Sequence, residues 1–222
     1  MIKNYDSSSI KTMEFGEAVS KKIGMYLSSD LEVALELGLR ELLYNSIDEY
    51  IQGYGTQIEI KIDTKNQIFS CEDNARGIPV GKREDGLDSL FAALTMPHTG
   101  GKHDTEVYSG AVGINGMGSS IVTHTSEWLI ATVKRNGSIY QMSFEGGEKG
   151  AVIKKDIAII GKTKETGTKI EYKPSNKIFK DNKINTKNLL STIQELSYFT
   201  KDLLFIVNID GKTYKFLAEN GL

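Results

Sequence analysis

The sequence predicts one α/β domain in which a large, mostly antiparallel or mixed sheet is covered by helices on one face. Three observations lead there. Segments with helical periodicity are interspersed with segments that alternate like strands. Two strand pairs close on Asn136-Gly137 and Asp210-Gly211, dipeptides suited to positive φ in a two-residue hairpin turn. No repeat, low-complexity tract or proline/glycine linker divides the 222 residues, and 39% hydrophobic content is ordinary for a chain that buries a real core.

The elements follow in chain order. A polar arm with Ser7 to Ser9 as candidate caps leads into a short helical pattern ending near residue 28. A long helix is expected over 31–52, stopping at Gly53. Ile58, Ile60 and Ile62 then share one strand face, Thr64-Lys65-Asn66 turns the chain, and a second strand spans 67–71. Residues 74–120 are glycine-rich and irregular apart from a helix near 87–94, and a loop region of that length inside a compact domain is functional or disordered. A hairpin occupies 128–145, and further strands are expected at 150–156, 167–173, 203–209 and 212–217. A helix over 186–199 carries Leu189, Leu190, Ile193 and Leu196 on one stripe.

Charge and composition remove several function classes. A net charge of -2 and a pI near 6.0 give the chain no electrostatic reason to hold a phosphate backbone unaided. With Cys71 as the single cysteine, neither an internal disulfide nor a cysteine zinc site can form. The histidines at 98, 103 and 124 lack metal-ligand spacing. No apolar leader and no run of membrane-spanning length are present, so a cytoplasmic protein without membrane contact is expected.

Chemistry concentrates in four places. In the long helix, at about 100° per residue, Glu41, Asn45 and Asp48 gather in a narrow arc. Leu35, Leu39, Leu42, Leu43, Ser46, Ile47 and Tyr50 fill the arc opposite. One face suits a core and the other suits chemistry, although a solvated polar face gives the same pattern. Asp73 directly follows a strand, where a carboxylate beside a glycine bend is placed to accept a hydrogen bond from a ligand amine; a plain turn fits the same residues. Thr99-Gly100-Gly101-Lys102 and the run from Gly110 to Ser120 supply backbone N–H groups that can converge on an anion at a helix start, with Lys102 adding a point charge. A flexible surface loop is the alternative for both. Thr166-Gly167-Thr168 opens a strand, and its hydroxyls can pair with Asp73 if the two strands are neighbours.

Taken in order, these pieces resemble the ATPase domain of the gyrase, heat-shock-chaperone, histidine-kinase and MutL (GHKL) superfamily, with its Glu/Asn helix, Asp-x-Gly-x-Gly strand end, glycine-rich lid and late Gly-Thr. Tyr5-Asp6-Ser7-Ser8-Ser9-Ile10-Lys11, Gly24-Met25-Tyr26, Asn45-Ser46-Ile47-Asp48-Glu49, Arg76-Gly77-Ile78-Pro79, Gly100-Gly101-Lys102 and Thr166-Gly167-Thr168 look most like the N-terminal ATPase domain of bacterial DNA gyrase B or the topoisomerase IV ATPase subunit. The resemblance implies an α+β two-layer sandwich of the Bergerat type spanning 1–222, with residues 1–20 as an N-terminal dimerisation arm. A transducer domain, which supplies a lysine to the γ-phosphate, and a DNA-cleavage region follow in that family; the chain stops at Leu222 and is expected to be a fragment with weak ATPase activity alone.

The implied function is an ATP-binding and hydrolysing module of a type II DNA topoisomerase that uses MgATP to close a dimeric DNA gate. The alternatives are a nucleotide-binding dimerisation module without significant hydrolysis, and topoisomerase IV in place of gyrase. Residue by residue, the resemblance implies that Glu41 is the general base, with Lys102 also catalytic at the phosphates. Asn45 would hold Mg²⁺. Asp73, with Thr168 fixing a shared water, would take the adenine amino group, and Tyr108 the other edge of the base. Gly77, Ile78 and Pro79 would shape the purine pocket, with Glu49 and Arg76 paired across its mouth. Gly113, Ile114, Asn115, Gly116, Met117 and Gly118 would hold the β- and γ-phosphates. Tyr5 and Ile10 would reach the nucleotide of the other protomer in a homodimer, and a gyrase A-like subunit and DNA are the partners of the full-length enzyme. An aminocoumarin inhibitor would touch Asp73, Arg76 and Arg135.

The chain departs from the gyrase pattern at Ala75, where the first glycine of the motif is usual, and at Asn115, where the bacterial lid has histidine. Ile23 replaces a proline and Asn74 an aspartate. If position 75 needs positive φ, alanine there costs about 1 kcal/mol.

Overall fold

The computed structural model describes residues 13–99, 116–146 and 150–218. Its helices are α1 (Phe15–Lys21), α2 (Leu31–Ile51), α3 (Ser89–Thr95), α4 (Gly118–Thr125), α5 (Asn176–Phe179) and α6 (Thr186–Phe199), with a 3-10 turn at Ile23–Met25. The strands are β1 (Gln57–Asp63), β2 (Ile68–Asp73), β3 (Ser126–Arg135), β4 (Ser138–Glu145), β5 (Val152–Lys162), β6 (Gly167–Pro174), β7 (Leu204–Ile209) and β8 (Lys212–Phe216). They form one eight-stranded sheet in the order β5-β4-β3-β6-β2-β1-β7-β8. Every pairing is antiparallel except β1 with β7, so the sheet is mixed. That parallel pair follows from connectivity: after β6 the chain runs through α5 and α6 before β7 enters beside β1, the kind of crossover that parallel strands require.

One face of the sheet carries the core. Ile58, Ile60 and Ile62 of β1 are buried while the residues between them are not, as an alternating strand demands. Phe69 and Cys71 of β2, Leu129, Ala131 and Val133 of β3, and Phe205 and Val207 of β7 continue that face. Against it lie Leu35, Leu39, Leu43 and Ile47 of α2, Leu90 and Leu94 of α3, and Leu189 and Ile193 of α6. The opposite face holds charged side chains such as Lys169 and Glu171, which pair at 2.7 Å.

Local chemistry sets the helix ends. Asp30 caps α2 by accepting from the N–H groups of Glu32 and Val33 (3.0 and 3.3 Å), a contact worth about 1 kcal/mol. Asn185 caps α6 through the Asn188 N–H at 3.1 Å. Ile23, one of the departures from the gyrase-like pattern, is a core residue of the 3-10 turn.

The structure differs from the sequence expectations at several points. β5 runs to Lys162 in place of 156, with register irregularities against β4. It is an edge strand exposed over most of its length, so no burial alternation marks its end in the sequence. β2 extends through Asp73, which places that carboxylate inside the strand end. Leu190 and Leu196 are only partly buried on α6. Asp48 is 1% exposed, so the acid-rich arc of α2 is no solvated face. Its earlier part is roofed by α4, whose Val122 lies 3.7 Å from a Cβ built on Gly38, and whose Gly118 abuts Glu41. Among the described residues no helix is long and apolar enough to cross a membrane.

Candidate functional site

The site is built where α2 crosses the ends of β2 and β6 and meets the start of α4. Asp73 ends β2 on the helix-facing side, and Thr168 stands in the neighbouring strand β6. Three neutral donors converge on the Asp73 carboxylate. Ser46 of α2 donates to Oδ2 at 2.9 Å, and the N–H groups of Ala75 and Thr168 donate to Oδ1 at 3.0 and 3.2 Å. Burial is the largest influence on this group and pushes its pKa above the ordinary 3.8; the donors from Ala75, Ser46 and Thr168 pull it back, and the charge of Glu49 adds to the rise. Among the described residues only dipoles hold this half-buried carboxylate, which leaves it an acceptor with capacity for a further donor. Directly beneath it, burial pushes the Cys71 thiol up to about 12, so that residue packs as a hydrophobe.

The approach of β6 to this carboxylate depends on Gly167. Its φ is 144°, and a Cβ there would stand 2.1 Å from the Asp73 carbonyl oxygen. The Thr168 hydroxyl does not pair with Asp73 as the sequence suggested; it accepts from the Ile78 N–H at 3.0 Å, and the Thr168 backbone serves the carboxylate instead. A strand that bends at a glycine presents its amide edge, and here the side chain is left to pin the following loop.

Asn45 and Glu41, one turn apart on α2, face the first turn of α4. Asn45 Nδ2 donates to the Ser119 hydroxyl at 2.8 Å. A Cβ on Gly118 would come within 2.1 Å of Glu41 Oε2, so only glycine lets the loop backbone lie against that carboxylate. Gly116 has φ 60°, its carbonyl accepts from the His98 N–H at 3.0 Å, and Met117 begins α4 without a side-chain cap. The first N–H groups of α4 are therefore not served by a cap, and they carry the positive end of the helix dipole.

The rim is ionic and aromatic. Arg76 makes a two-pronged pair with Glu49 at 2.8 and 2.9 Å and stacks over the Tyr54 ring at 3.9 Å. Arg135 Nη1 donates to the Gly77 carbonyl at 2.5 Å, tying β3 to the loop that carries Ile78 and the exposed Pro79.

Two departures from the expected pattern acquire physical reasons. Ala75 is buried and its φ is not positive; the left-handed residue is Gly77, at 78°. The condition for strain at Ala75 is therefore not met, and its methyl packs against Gly55, where a built Cβ would lie 3.1 Å away. Asn74 accepts from the N–H groups of Thr56 and Gln57 (2.8 and 2.9 Å) while donating to the Thr56 hydroxyl at 3.2 Å. The amide uses both of its ends here, Oδ1 as acceptor and Nδ2 as donor.

The structure thus brings together Glu41, Asn45, Asp73, Arg76, Gly77, Ile78, Gly118 and Thr168. Tyr5, Ile10, Lys102, Tyr108, Gly113, Ile114 and Asn115 lie outside the described residues. Sequence reasoning missed Ser46 and Ser119 as site residues. Ser46 left a signal, a hydroxyl inside the Leu/Ile arc of α2, where a polar group needs a partner. Ser119 left none beyond its place after a glycine run.

This arrangement has relatives. Residues 30–176 match the family described as histidine kinase-, DNA gyrase B-, and HSP90-like ATPase. The chain belongs to that family. The B-type subunit of DNA topoisomerase 4 from Staphylococcus aureus strain Mu50 is 38% identical over 208 residues, which cover 92% of this chain and 30% of that protein. The strain NCTC 8325 protein gives the same figures. Among solved structures, the 43K ATPase domain of Thermus thermophilus gyrase B in complex with an aminocoumarin matches with a TM-score of 0.79 at 25% identity, over 93% of this chain and 52% of that one. The chain spans 30% of the length of the curated relatives it matches. The gyrase-type ATPase fold expected from the sequence is therefore the fold observed.

Proposed function

We propose that this chain binds ATP with Mg²⁺ in the cleft between α2, the ends of β2 and β6, and the start of α4, and hydrolyses it as the ATPase module of a type II DNA topoisomerase, of the kind found in gyrase B and in the topoisomerase IV ATPase subunit. The observation that carries the reading is the Asp73 carboxylate. It is desolvated, held by three neutral donors and provided with no cation by them, which suits an acceptor for the adenine amino group.

The donor set fits magnesium. Among the described residues no cluster of three or more His, Cys, Asp or Glu side chains could hold a metal alone. Mg²⁺ fits such a site, because it takes one or two protein oxygens and completes its shell with phosphates and water. Asn45 would hold it through Oδ1, since Nδ2 is turned to Ser119. When bound, the ion neutralises charge on the phosphates.

The chain's own residues would do the rest. Glu41 takes a proton from the attacking water as its oxygen bonds to the γ-phosphorus, and the bond to the bridging oxygen breaks to release ADP and phosphate. The glycine backbone from Gly116 to Gly118 and the N-terminal N–H groups of α4 lie beside Glu41 and present donors to the phosphates. Gly113, Ile114, Asn115, Lys102 and Tyr108 are proposed to complete the phosphate and base contacts. Tyr5 and Ile10 are proposed to close over the nucleotide of a second copy, making a homodimer when nucleotide is bound. A gyrase A-like subunit and DNA, a cytoplasmic location and sensitivity to aminocoumarins through Asp73, Arg76 and Arg135 belong to the same reading.

The test is Glu41→Ala. ATP turnover should fall about 10²- to 10⁴-fold, the range for a lost general base, while the affinity for a non-hydrolysable analogue stays within about two-fold. Unchanged turnover would remove Glu41 as the general base, and a wild-type chain that binds the analogue but turns over no ATP would be a nucleotide-binding module.

A further inference from the structure

The contact between Asn45 and Ser119 joins the two halves of the site. Asn45 lies mid-way along α2, and Ser119 lies in the first turn of α4, directly after Gly118. The Ser119 hydroxyl accepts from Asn45 Nδ2 at 2.8 Å, and the Ser119 carbonyl accepts from the Thr123 hydroxyl at 2.8 Å, so the turn that presents Ser119 is itself held. Both residues are half-buried.

We propose that Ser119 is a positioning residue for the metal: by accepting from Nδ2 it holds the Asn45 side-chain amide in place and supports the orientation in which Oδ1 is presented to Mg²⁺. This inference rests on the nucleotide-binding reading above. The two ends of an asparagine amide have almost the same shape and opposite electrostatic character, so a cation gains from one orientation and is repelled by the other. Sequence alone does not choose between them. A bound cation selects the orientation with Oδ1 toward it, and the Ser119 hydroxyl, which can accept or donate, then gives the opposite end, Nδ2, its acceptor. An apolar side chain at position 119 would leave the NH₂ group without that acceptor and the amide without that constraint. The same bond links the metal ligand to the glycine backbone of the phosphate loop, so a shift of α4 moves Asn45 with it.

The experiment is calorimetric titration of the full 222-residue chain with a non-hydrolysable ATP analogue, once with Mg²⁺ and once with EDTA, for wild type, Ser119→Ala and Ser119→Thr. Ser119→Ala should weaken binding in Mg²⁺ by about 3- to 10-fold, the effect of one lost hydrogen bond, and leave binding in EDTA unchanged. Ser119→Thr, which keeps the hydroxyl, should restore the Mg²⁺ value. Equal losses in Mg²⁺ and EDTA would make Ser119 a structural or phosphate-loop residue and overturn the proposal, as would an unaltered Ser119→Ala. Those outcomes leave nucleotide binding standing. A wild-type chain that binds no analogue in either medium would instead overturn the nucleotide reading, and this inference with it.

Discussion

Glu72 and Asp73 are adjacent carboxylates on one strand, and they face opposite sides of the sheet into opposite kinds of electrostatics. Glu72 points to the open face, where Lys134 lies 3.1 Å away and bridges to Glu165 at 2.9 Å. The groove there, about 460 Å³ and lined by Glu59, Glu72, Lys134, Lys164 and Glu165 among others, is polar and solvated; Asp73 and Asn74 border it, while the Asp73 carboxylate is bonded on the helix side. The hydrogen bonds that Lys134 donates to Glu165 and then to Glu72 hold its ammonium above its ordinary pKa, so each charge has an answering charge. Asp73 points to the helices and is answered by Ser46 and two backbone N–H groups. A charge that is taken from water and given only dipoles is unfavourable for folding unless something else uses it. The difference teaches where to look for a ligand: the carboxylate with satisfied charges reads as structural surface, and the one held by dipoles is the functional group we propose.

Substitution of the two acids separates them most. Asp73→Asn should weaken binding of a non-hydrolysable ATP analogue by about 10- to 150-fold, the range for a lost hydrogen bond to a charged group, whereas Glu72→Gln should change it by less than about two-fold. In thermal melts Asp73→Asn should stay within about 1 kcal/mol of wild type, because the removed charge was desolvated. A Glu72→Gln chain that loses binding as fully as Asp73→Asn would erase the contrast.

Ser46→Ala sharpens it. Removing a donor to the charged carboxylate raises the Asp73 pKa further, so the pH at which nucleotide affinity falls off on acidification should move upward relative to wild type. Affinity near neutral pH should fall about 3- to 10-fold. An unchanged pH profile would show that Ser46 does not govern the charge on Asp73.

His124 is a second group that burial keeps from its charged form. Burial lowers its pKa below 6.5, against a smaller upward pull from Thr95. The ring lies edge-on to Phe15, with Nε2 2.9 Å from the Thr95 carbonyl and Nδ1 accepting from the Ala151 N–H at 2.9 Å. A depressed folded-state pKa means that the unfolded chain binds the proton better. The stability His124 contributes is therefore complete above about pH 6.5 and is lost as pH falls through its lower folded-state value. Denaturant melts from pH 8 to 5 should show this loss in wild type and a smaller one in His124→Gln; parallel curves would refute it.

The smallest effect is expected on the open face. Lys134→Ala should cost less than about 1 kcal/mol, as exposed ion pairs do, and should leave nucleotide affinity unaltered in calorimetry.

What the sequence revealed was local. The α2 pattern, the Ile58-Ile60-Ile62 alternation and the Asn136-Gly137 and Asp210-Gly211 turns each depend on neighbours within a few residues, and each stands where it was expected. Asp73 was legible because a strand end beside a glycine bend is a recognisable place for an acceptor. Partners remote in sequence were not legible: Ser46 meets Asp73 across 27 positions and Asn45 meets Ser119 across 74. The parallel pairing of β1 with β7 was hidden for the same reason. The burial of Asp48 was not legible, because helical periodicity reports which residues share an arc and is silent on what covers that arc. Whether position 75 needs a positive φ was not legible either; the backbone turns left-handed two residues later, at Gly77.

The central claim is that Asp73 reads an exocyclic amine. Its most direct measurement is calorimetric titration of the wild-type chain, in Mg²⁺, with a non-hydrolysable ATP analogue and with the matching inosine nucleotide, in which a carbonyl replaces that amine. Tight, saturable binding of the adenine compound and binding at least about ten-fold weaker for the inosine compound is the predicted result. Equal affinities would show that Asp73 does not read the base, and the account of the site built around it would fail.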